Sequence, residues 1–387
     1  MIRDYVLFWT GSTISFLGTR ATAIAYPLLA LAVLDSPVAA GLIASAGMIP
    51  YLVLYLPAGV YVDRRDARTL MIGAETVRLA TALAMVAVVV AGRPGFALFA
   101  LVAVADGTAA VIYSLAEVNL LRGIVDQPKI AGALAGNEAR TSVAGLLGRP
   151  VGGLLFGLGP AVPFAGGVVT SLVSIGTLVW LRPVPAGPRT EKALLAEVAE
   201  GLRRLVGDPF LRATTALSGL GNVIMHALFI VYLAVMQDRG VTAAATTVAF
   251  AATGAGGLAG AACAQWSFRR YGYRLFSLSV WAWTLAMVPL VFKLDPATFA
   301  LSSFTMTFAG IVGNVACGTY MFTEVPPGML ARVKSVDMLL ETVGVALGPL
   351  VGGLLIASLN PPAAVAVLLA GTLLLALASL RARPGVR

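Results

Sequence analysis

The segment Leu147-Gly148-Arg149-Pro150-Val151-Gly152-Gly153-Leu154-Leu155 returns 200 residues later as Leu347-Gly348-Pro349-Leu350-Val351-Gly352-Gly353-Leu354-Leu355. Seven of the nine positions are identical, and each copy lies inside a long apolar stretch. Leu17-Gly18 matches Leu220-Gly221 at an offset of 203. The turn Asp63-Arg64-Arg65-Asp66-Ala67-Arg68 has a degenerate partner in Arg269-Arg270-Tyr271-Gly272-Tyr273-Arg274. A 387-residue chain that repeats itself at about half its length predicts two homologous halves. Duplicated apolar halves are a layout in which a path runs along the repeat interface.

The apolar stretches set the solvent. Hydrophobic residues make up 59% of the chain, charged residues 12%, and the mean hydropathy is +0.90. A soluble domain carries about 25% charged residues, so lipid is the expected surroundings. A span needs about 20 apolar residues. Turn signals and charges delimit twelve such segments: 5–34, 38–62, 69–91, 96–119, 132–158, 161–181, 209–236, 242–267, 274–293, 297–321, 330–358 and 362–380. The predicted fold class is therefore all-α, with twelve transmembrane helices in two pseudo-symmetric six-helix bundles.

The net charge of +9 could suit nucleic acid or an acidic membrane face, and its distribution decides. With the N-terminus in the cytosol, the inward loops and termini hold 20 of the 27 Lys and Arg residues. The outward loops hold 3 (Arg93, Arg239 and Lys293), and Arg20, Arg78, Arg140 and Arg149 fall within spans. This asymmetry is the positive-inside rule. It predicts cytosolic termini and no nucleic-acid partner. The first apolar stretch is too long for a cleavable signal peptide and lacks a basic n-region. Cys263 and Cys317 both lie within spans, so no disulfide framework is indicated. Arginine outnumbers lysine, and alanine and glycine abound, a composition of GC-rich bacterial genomes. A bacterial cytoplasmic (inner) membrane is the expected location.

The clear internal break is 182–208. Arg182-Pro183-Val184-Pro185-Ala186-Gly187-Pro188 cannot continue a helix, because proline lacks the amide donor. Thr190 can cap a new one. Leu195, Val198, Leu202 and Leu205 then fall on one stripe, with Glu197, Glu200, Arg203 and Arg204 on other faces. An amphipathic helix is expected, either lying on lipid or packed on the bundle ends. The domains are thus 1–181, a cytosolic linker over 182–208, and 209–387.

The loop Gly59-Val60-Tyr61-Val62-Asp63-Arg64-Arg65-Asp66-Ala67-Arg68 resembles the signature between spans two and three of the major facilitator superfamily. It departs at Asp66, where glycine is usual, and at Ala67, often basic. The resemblance implies a cytosolic gate built from Gly59, Asp63, Arg64 and Arg68. Gly148, Pro150, Gly152 and Gly153 are similar to the Gly-Pro-x-x-Gly-Gly signature of exporters in that superfamily, with Arg149 at the expected proline. Gly348, Pro349, Gly352 and Gly353 match it cleanly in span eleven. Glycine permits close helix contact and proline kinks a span, so both segments are expected to act as hinges. Glu200-Gly201-Leu202-Arg203-Arg204, with Asp208-Pro209-Phe210-Leu211-Arg212, resembles the linker of the enterobactin-exporter-like branch. Ser15-Phe16-Leu17-Gly18-Thr19-Arg20 and Ala25-Tyr26-Pro27-Leu28-Leu29 resemble its first span. There an acidic residue is common at the position of Thr19. Members of this branch export siderophores, antibiotics and other drugs, or move lipids.

A charge at the bilayer centre costs about 2.5–3.5 kcal/mol on insertion scales, so each needs a partner, a wet cavity or a function. Asp106, Glu138, Arg149, Glu341 and His226 are the proton-coupling candidates. An acid near an arginine can be toggled by motion, and histidine titrates in the useful range. Glu138 and Arg149 are eleven residues apart, on nearly one helix face and separated by about 16 Å of rise. Glu75 and Arg78, three apart, predict a structural pair. Arg20 is equally suited to bracing an acidic residue. Tyr26, Asn222, His226, Phe229, Tyr232 and Glu341 are the substrate-cavity candidates. Tyr51, Tyr55, Tyr113, Trp281 and Trp283 read as anchors or packing residues.

A single histidine and no Gly-x-Ser-x-Gly leave little chemistry for a membrane enzyme, and a phosphate-binding loop is lacking. No cofactor or metal is expected. The expected function is proton-coupled export of a small amphipathic molecule by a monomer in the bilayer. Uptake and lipid translocation remain alternatives on the same fold.

Overall fold

Several of the apolar segments open on side chains that close the first helical turn. In the computed structural model, which describes residues 2–63, 65–92, 95–124, 130–181 and 194–381, every element is an α-helix. Asp35 takes a left-handed backbone (φ 46°) and ends α1 (Ile2–Leu34). Ser36 then accepts from the Ala39 amide at 3.2 Å, with Pro37 in the first turn, to start α2 (Pro37–Ala46). Asp66 accepts from Thr69 at 2.8 Å to cap α5 (Ala67–Val90). Asp208 accepts from Phe210 and Leu211 to cap α10 (Pro209–Asp238). Asp295 caps α13 (Pro296–Glu324) and Asn360 caps α15 (Pro361–Ser379) in the same way. Each cap satisfies amides that lack an intrahelical partner.

One expected span is not a single helix. Residues 38–62 form α2, α3 (Ile49–Val53) and α4 (Tyr55–Asp63). Gly47-Met48 and Leu54 interrupt the ladder where Pro50 and Pro57 cannot supply an amide. The remaining elements are α6 (Phe96–Ile124), α7 (Ile130–Leu158), α8 (Val162–Val179), α9 (Leu194–Gly207), α11 (Ala243–Tyr271), α12 (Arg274–Phe292) and α14 (Pro327–Ser358). Among the described residues, ten helices are long and apolar enough to cross a membrane. Within α7, Leu147–Leu158 is a shorter apolar helix among the described residues. Leu101, Trp180, Phe292, Phe322 and Leu374 all present two thirds or more of their surface, as lipid-facing side chains should. The chain is a multi-pass membrane protein.

Backbone contacts divide it into two units, residues 1–191 with 242–248 and residues 192–241 with 249–387. In the first, α1 packs on α7 and α8, and α5 on α6 and α8. In the second, α10 packs on α14 and α15, and α12 on α13 and α15. The pairing pattern is the same in both. Side chains at Gly148 and Gly152 would collide with Arg20 and Ala21 of α1; side chains at Gly348 and Gly352 would collide with Val223, His226 and Ala227 of α10. The repeated glycines therefore serve repeated close contacts. Gly153 and Gly353 are buried as well. Pro150 and Pro349 lie inside helices that continue through them.

The linker helix belongs to the second unit. Leu205 joins Phe210, Tyr320, Val333 and Val336 in a buried cluster, with Val198 packed against it. Arg332 pairs with Glu200, and Gly201 sits against the Arg332 backbone. Leu202 is 43% exposed, so the expected single apolar stripe is divided between the protein and its surroundings. Thr190, expected to cap this helix, lies outside the described residues.

Gly352→Val should lower thermal stability in detergent, because overpacking a close helix contact costs about 1–3 kcal/mol. Gly73→Ala, where nothing lies within 4 Å, should not lower it. Equal melting of both variants and the parent would remove glycine contact as the basis of the α10–α14 pairing. The Thr298 amide, then Lys293 at 3.0 Å, hold the Asp295 carboxyl down at about 2. Asp295→Ala should lose about 1 kcal/mol near neutral pH. That loss should fade as pH falls from about 4, the unfolded carboxylate value, toward 2. A melting difference unchanged across that window would contradict the cap.

Candidate functional site

Arg78 of α5 stands at the centre of a buried polar cluster in the first unit. Its Nε donates to Asp106 Oδ1 of α6 at 3.3 Å. Nη1 donates to Glu75 Oε1 at 3.2 Å and to Ser15 Oγ of α1 at 2.9 Å. Nη2 donates to Thr19 Oγ1, which itself donates to the Ser15 carbonyl at 2.8 Å. Ser15 Oγ donates onward to Glu75 Oε1. Three helices are thereby tied by one guanidinium, whose planar fork of donors suits several acceptors at once.

Glu75 is fully buried and Arg78 is 6% exposed. The cluster holds two carboxylates and one cation, an excess of one negative charge. Glu75 Oε2 is buried and has no hydrogen-bond partner among the described residues. A second buried pair, Glu117 of α6 with Arg140 of α7, lies in the same unit. Tyr113 donates to Ser12 at 3.2 Å and lies 3.5 Å from Ser174.

The sequence-derived candidates are placed as follows. Asp106 joins Arg78. Glu138 is on α7 with its side chain outside the described residues. Arg149 is half-buried on α7, within electrostatic range of Arg20. Arg20 braces no acid among the described residues; it is exposed and stacks 4.7 Å from the Phe16 ring centroid. His226 Nδ1 lies 2.9 Å from the Asn222 carbonyl, one turn back, and its ring meets Phe229 edge-on. Tyr26 is buried against Phe164 at 5.3 Å. Phe229 and Tyr232 are buried with Phe250 and Phe299; Tyr232 stacks on Phe299 at 3.8 Å. Of the six cavity candidates, Glu341 borders a described cavity, one within the second unit.

Among the gate residues, Arg68 donates to the carbonyls of Leu178 and Val179 at 2.8 and 2.6 Å. It thus caps the C-terminal end of α8, where a cation is favoured. Gly59 lies within α4; the Asp63 side chain and Arg64 are outside the described residues. Ser15, Thr19, Glu117 and Arg140 were not singled out from sequence as parts of a site. The available signal was polar side chains at spacings that return to one helix face within apolar spans.

The family model described as Major Facilitator Superfamily matches residues 8–340. The chain belongs to the major facilitator superfamily. It is a membrane transporter and not an enzyme. No curated protein matches the sequence. Among solved structures, the nucleoside transporter NupG is similar with a TM-score of 0.77 at 14% identity, covering 98% of each chain. A bacterial homologue of the iron transporter ferroportin in an inward-facing state gives 0.72 at 16% identity, covering 99% of each. A bacterial homologue of the human lysosomal transporter Spinster, inward-facing and unoccupied, gives 0.70 at 15%, covering 98% of this chain and 94% of that one. At these identities the likeness is one of fold.

Arg78→Ala should lower stability by about 3–5 kcal/mol, because it leaves the buried Glu75 and the partly buried Asp106 uncompensated. Adding Glu75→Gln and Asp106→Asn to that variant should recover most of the loss. Thermal denaturation in detergent reads both; an Arg78→Ala protein as stable as the parent would show that the guanidinium does not hold the cluster.

Proposed function

We propose that this transporter is a proton-driven exporter of a small amphipathic molecule in the bacterial inner membrane. The observation that carries this reading is the sharing of one Arg78 guanidinium by Glu75 and Asp106 inside the protein. A net charge inside the membrane is expensive, whereas one added proton makes the cluster neutral. Glu75 Oε2 is buried and has no hydrogen-bond partner among the described residues. Ser15 and Thr19 tie the cluster to α1, so a shift of α1 against α5 would alter the stabilisation of the charged form. Proton loading and helix movement are coupled by that dependence.

In this reading the chain forms two bundles of six spans, 1–181 and 209–387, that rock about a central path, with α9 as the linker between them. The broken helices α2 to α4 together count as the second span. Cytosolic termini follow from the 20-to-3 division of basic residues. The Arg68 contacts with α8 would brace the cytosolic gate. The similar solved structures include a nucleoside transporter and a homologue of an iron transporter, so cargo follows from site chemistry rather than from the fold. Export rather than uptake is supported by the glycine-proline segment of α7 and the resemblance of the linker to the enterobactin-exporter-like branch.

Accumulation of a panel of dyes and antibiotics in an efflux-deficient host tests the reading. Cells expressing the chain should accumulate several-fold less of at least one compound, and a protonophore should abolish the difference. Glu75→Gln and Asp106→Asn should each remove at least ten-fold of the proton-driven rate while the protein remains in the membrane. Higher accumulation would establish uptake instead. Insensitivity to the protonophore and to both substitutions would overturn proton coupling.

A further inference from the structure

The second unit contains a cavity of about 190 Å³ among α10, α13 and α14. Lys334, Asp337 and Glu341 line it from α14. Their spacing of three and then four residues places them along one helix face. Asp337 is 7% exposed, and both of its oxygens are occupied. Thr215 donates to Oδ1 at 2.6 Å, and Lys334 Nζ donates to Oδ2 at 2.8 Å. Lys334 and Asp337 therefore cancel in charge. Glu341, one turn further along, is half-buried and makes no hydrogen bond among the described residues. The cavity keeps one uncompensated carboxylate. Ser218 of α10 and Asn314 of α13 add neutral oxygen acceptors beside it.

An excess of negative charge with surrounding acceptors matches a donor-rich cation. The volume holds about six waters at roughly 30 Å³ each. It is smaller than the 300–1,000 Å³ typical of a drug-sized pocket. A head group of several heavy atoms fits, and Met321 and Leu330 offer apolar wall for the carbon attached to it. We propose that this cavity binds the protonated amine of an organic cation, with Glu341 as its counter-ion and Asp337 held in place by Thr215 and Lys334. Assigning that amine to the exported cargo rests on the function proposed above; the binding itself does not.

Cys317 lines the same cavity, and the chain's other cysteine, Cys263, is exposed elsewhere on α11. In a Cys263→Ser background, Cys317 reports the sign of the cavity's potential. The cationic reagent methanethiosulfonate ethyltrimethylammonium should modify it at least ten-fold faster than the anionic methanethiosulfonate ethylsulfonate. Propylammonium chloride should slow the reaction where equal sodium chloride does not, and Glu341→Gln should erase both effects without changing the melting temperature. Faster anionic labelling, or protection by sodium alone, would overturn the proposal. If neither reagent labels, calorimetry decides: propylammonium binding lost in Glu341→Gln supports the site, and no binding overturns it. Binding without propylammonium efflux in proteoliposomes would leave the amine site standing and remove the amine from the exporter's cargo.

Discussion

Two helix pairs, α1 with α7 and α10 with α14, approach closely enough that backbone meets backbone. In lipid, apolar side chains gain little by leaving one hydrocarbon surface for another, so helices associate through fitted surfaces and small residues. Gly148 and Gly152 remove the side chains that would hold α7 away from Arg20 and Ala21. Gly348 and Gly352 do the same for α14 against Val223 and Ala227. Both polar groups of the two units lie beside these pairs. The Arg78 cluster reaches α1 from α5, and the amine-sized cavity lies beside α10 and α14. The segment that revealed the duplication in the sequence is thus the segment each half uses to pack its longest contact.

Much of the fold was legible because membrane helices declare themselves by length and by their caps. Asp66 illustrates this: as a departure from the family's glycine it looked like a defect, yet its carboxylate closes the first turn of α5. The three-piece path through 38–62 was less legible, since hydropathy sums over a window and does not register where Pro50 and Pro57 break the ladder. The linker stripe was visible, but its partner was not. Docking on α14 depends on Gly201, a residue that periodicity scores as neutral.

The candidate site was legible in its members and not in their grouping. Asp106 stood out as an acid in mid-span, and Glu75 and Arg78 as a local pair on one helix. That the three form one cluster follows from α5 lying on α6, a tertiary fact that no spacing within either helix contains. Ser15 and Thr19 were equally hidden, because a hydroxyl in a span often bonds its own helix carbonyl. Thr19 does so, and it also accepts from Arg78. Tyr26 and Tyr232 show what the sequence left out. Their helices suggested a cavity, but ring packing against Phe164 and Phe299 buries them.

Each unit carries one more acid than it has cations at its principal polar group, and the surroundings of that excess differ. Around Arg78 the side chains close on one another, and Glu75 is fully buried. In the function proposed above, a proton relieves that charge. Around Glu341 the structure leaves about 190 Å³, and the nearest ammonium, Lys334, is already committed to Asp337. A larger cation can relieve that one. In the two proposals the same electrostatic imbalance, set in two packing environments, selects two different ligands, and the difference is one of volume rather than of charge. A cluster packed around its carboxylates suits a coupling ion, while an open cavity with the same excess suits a cargo head group.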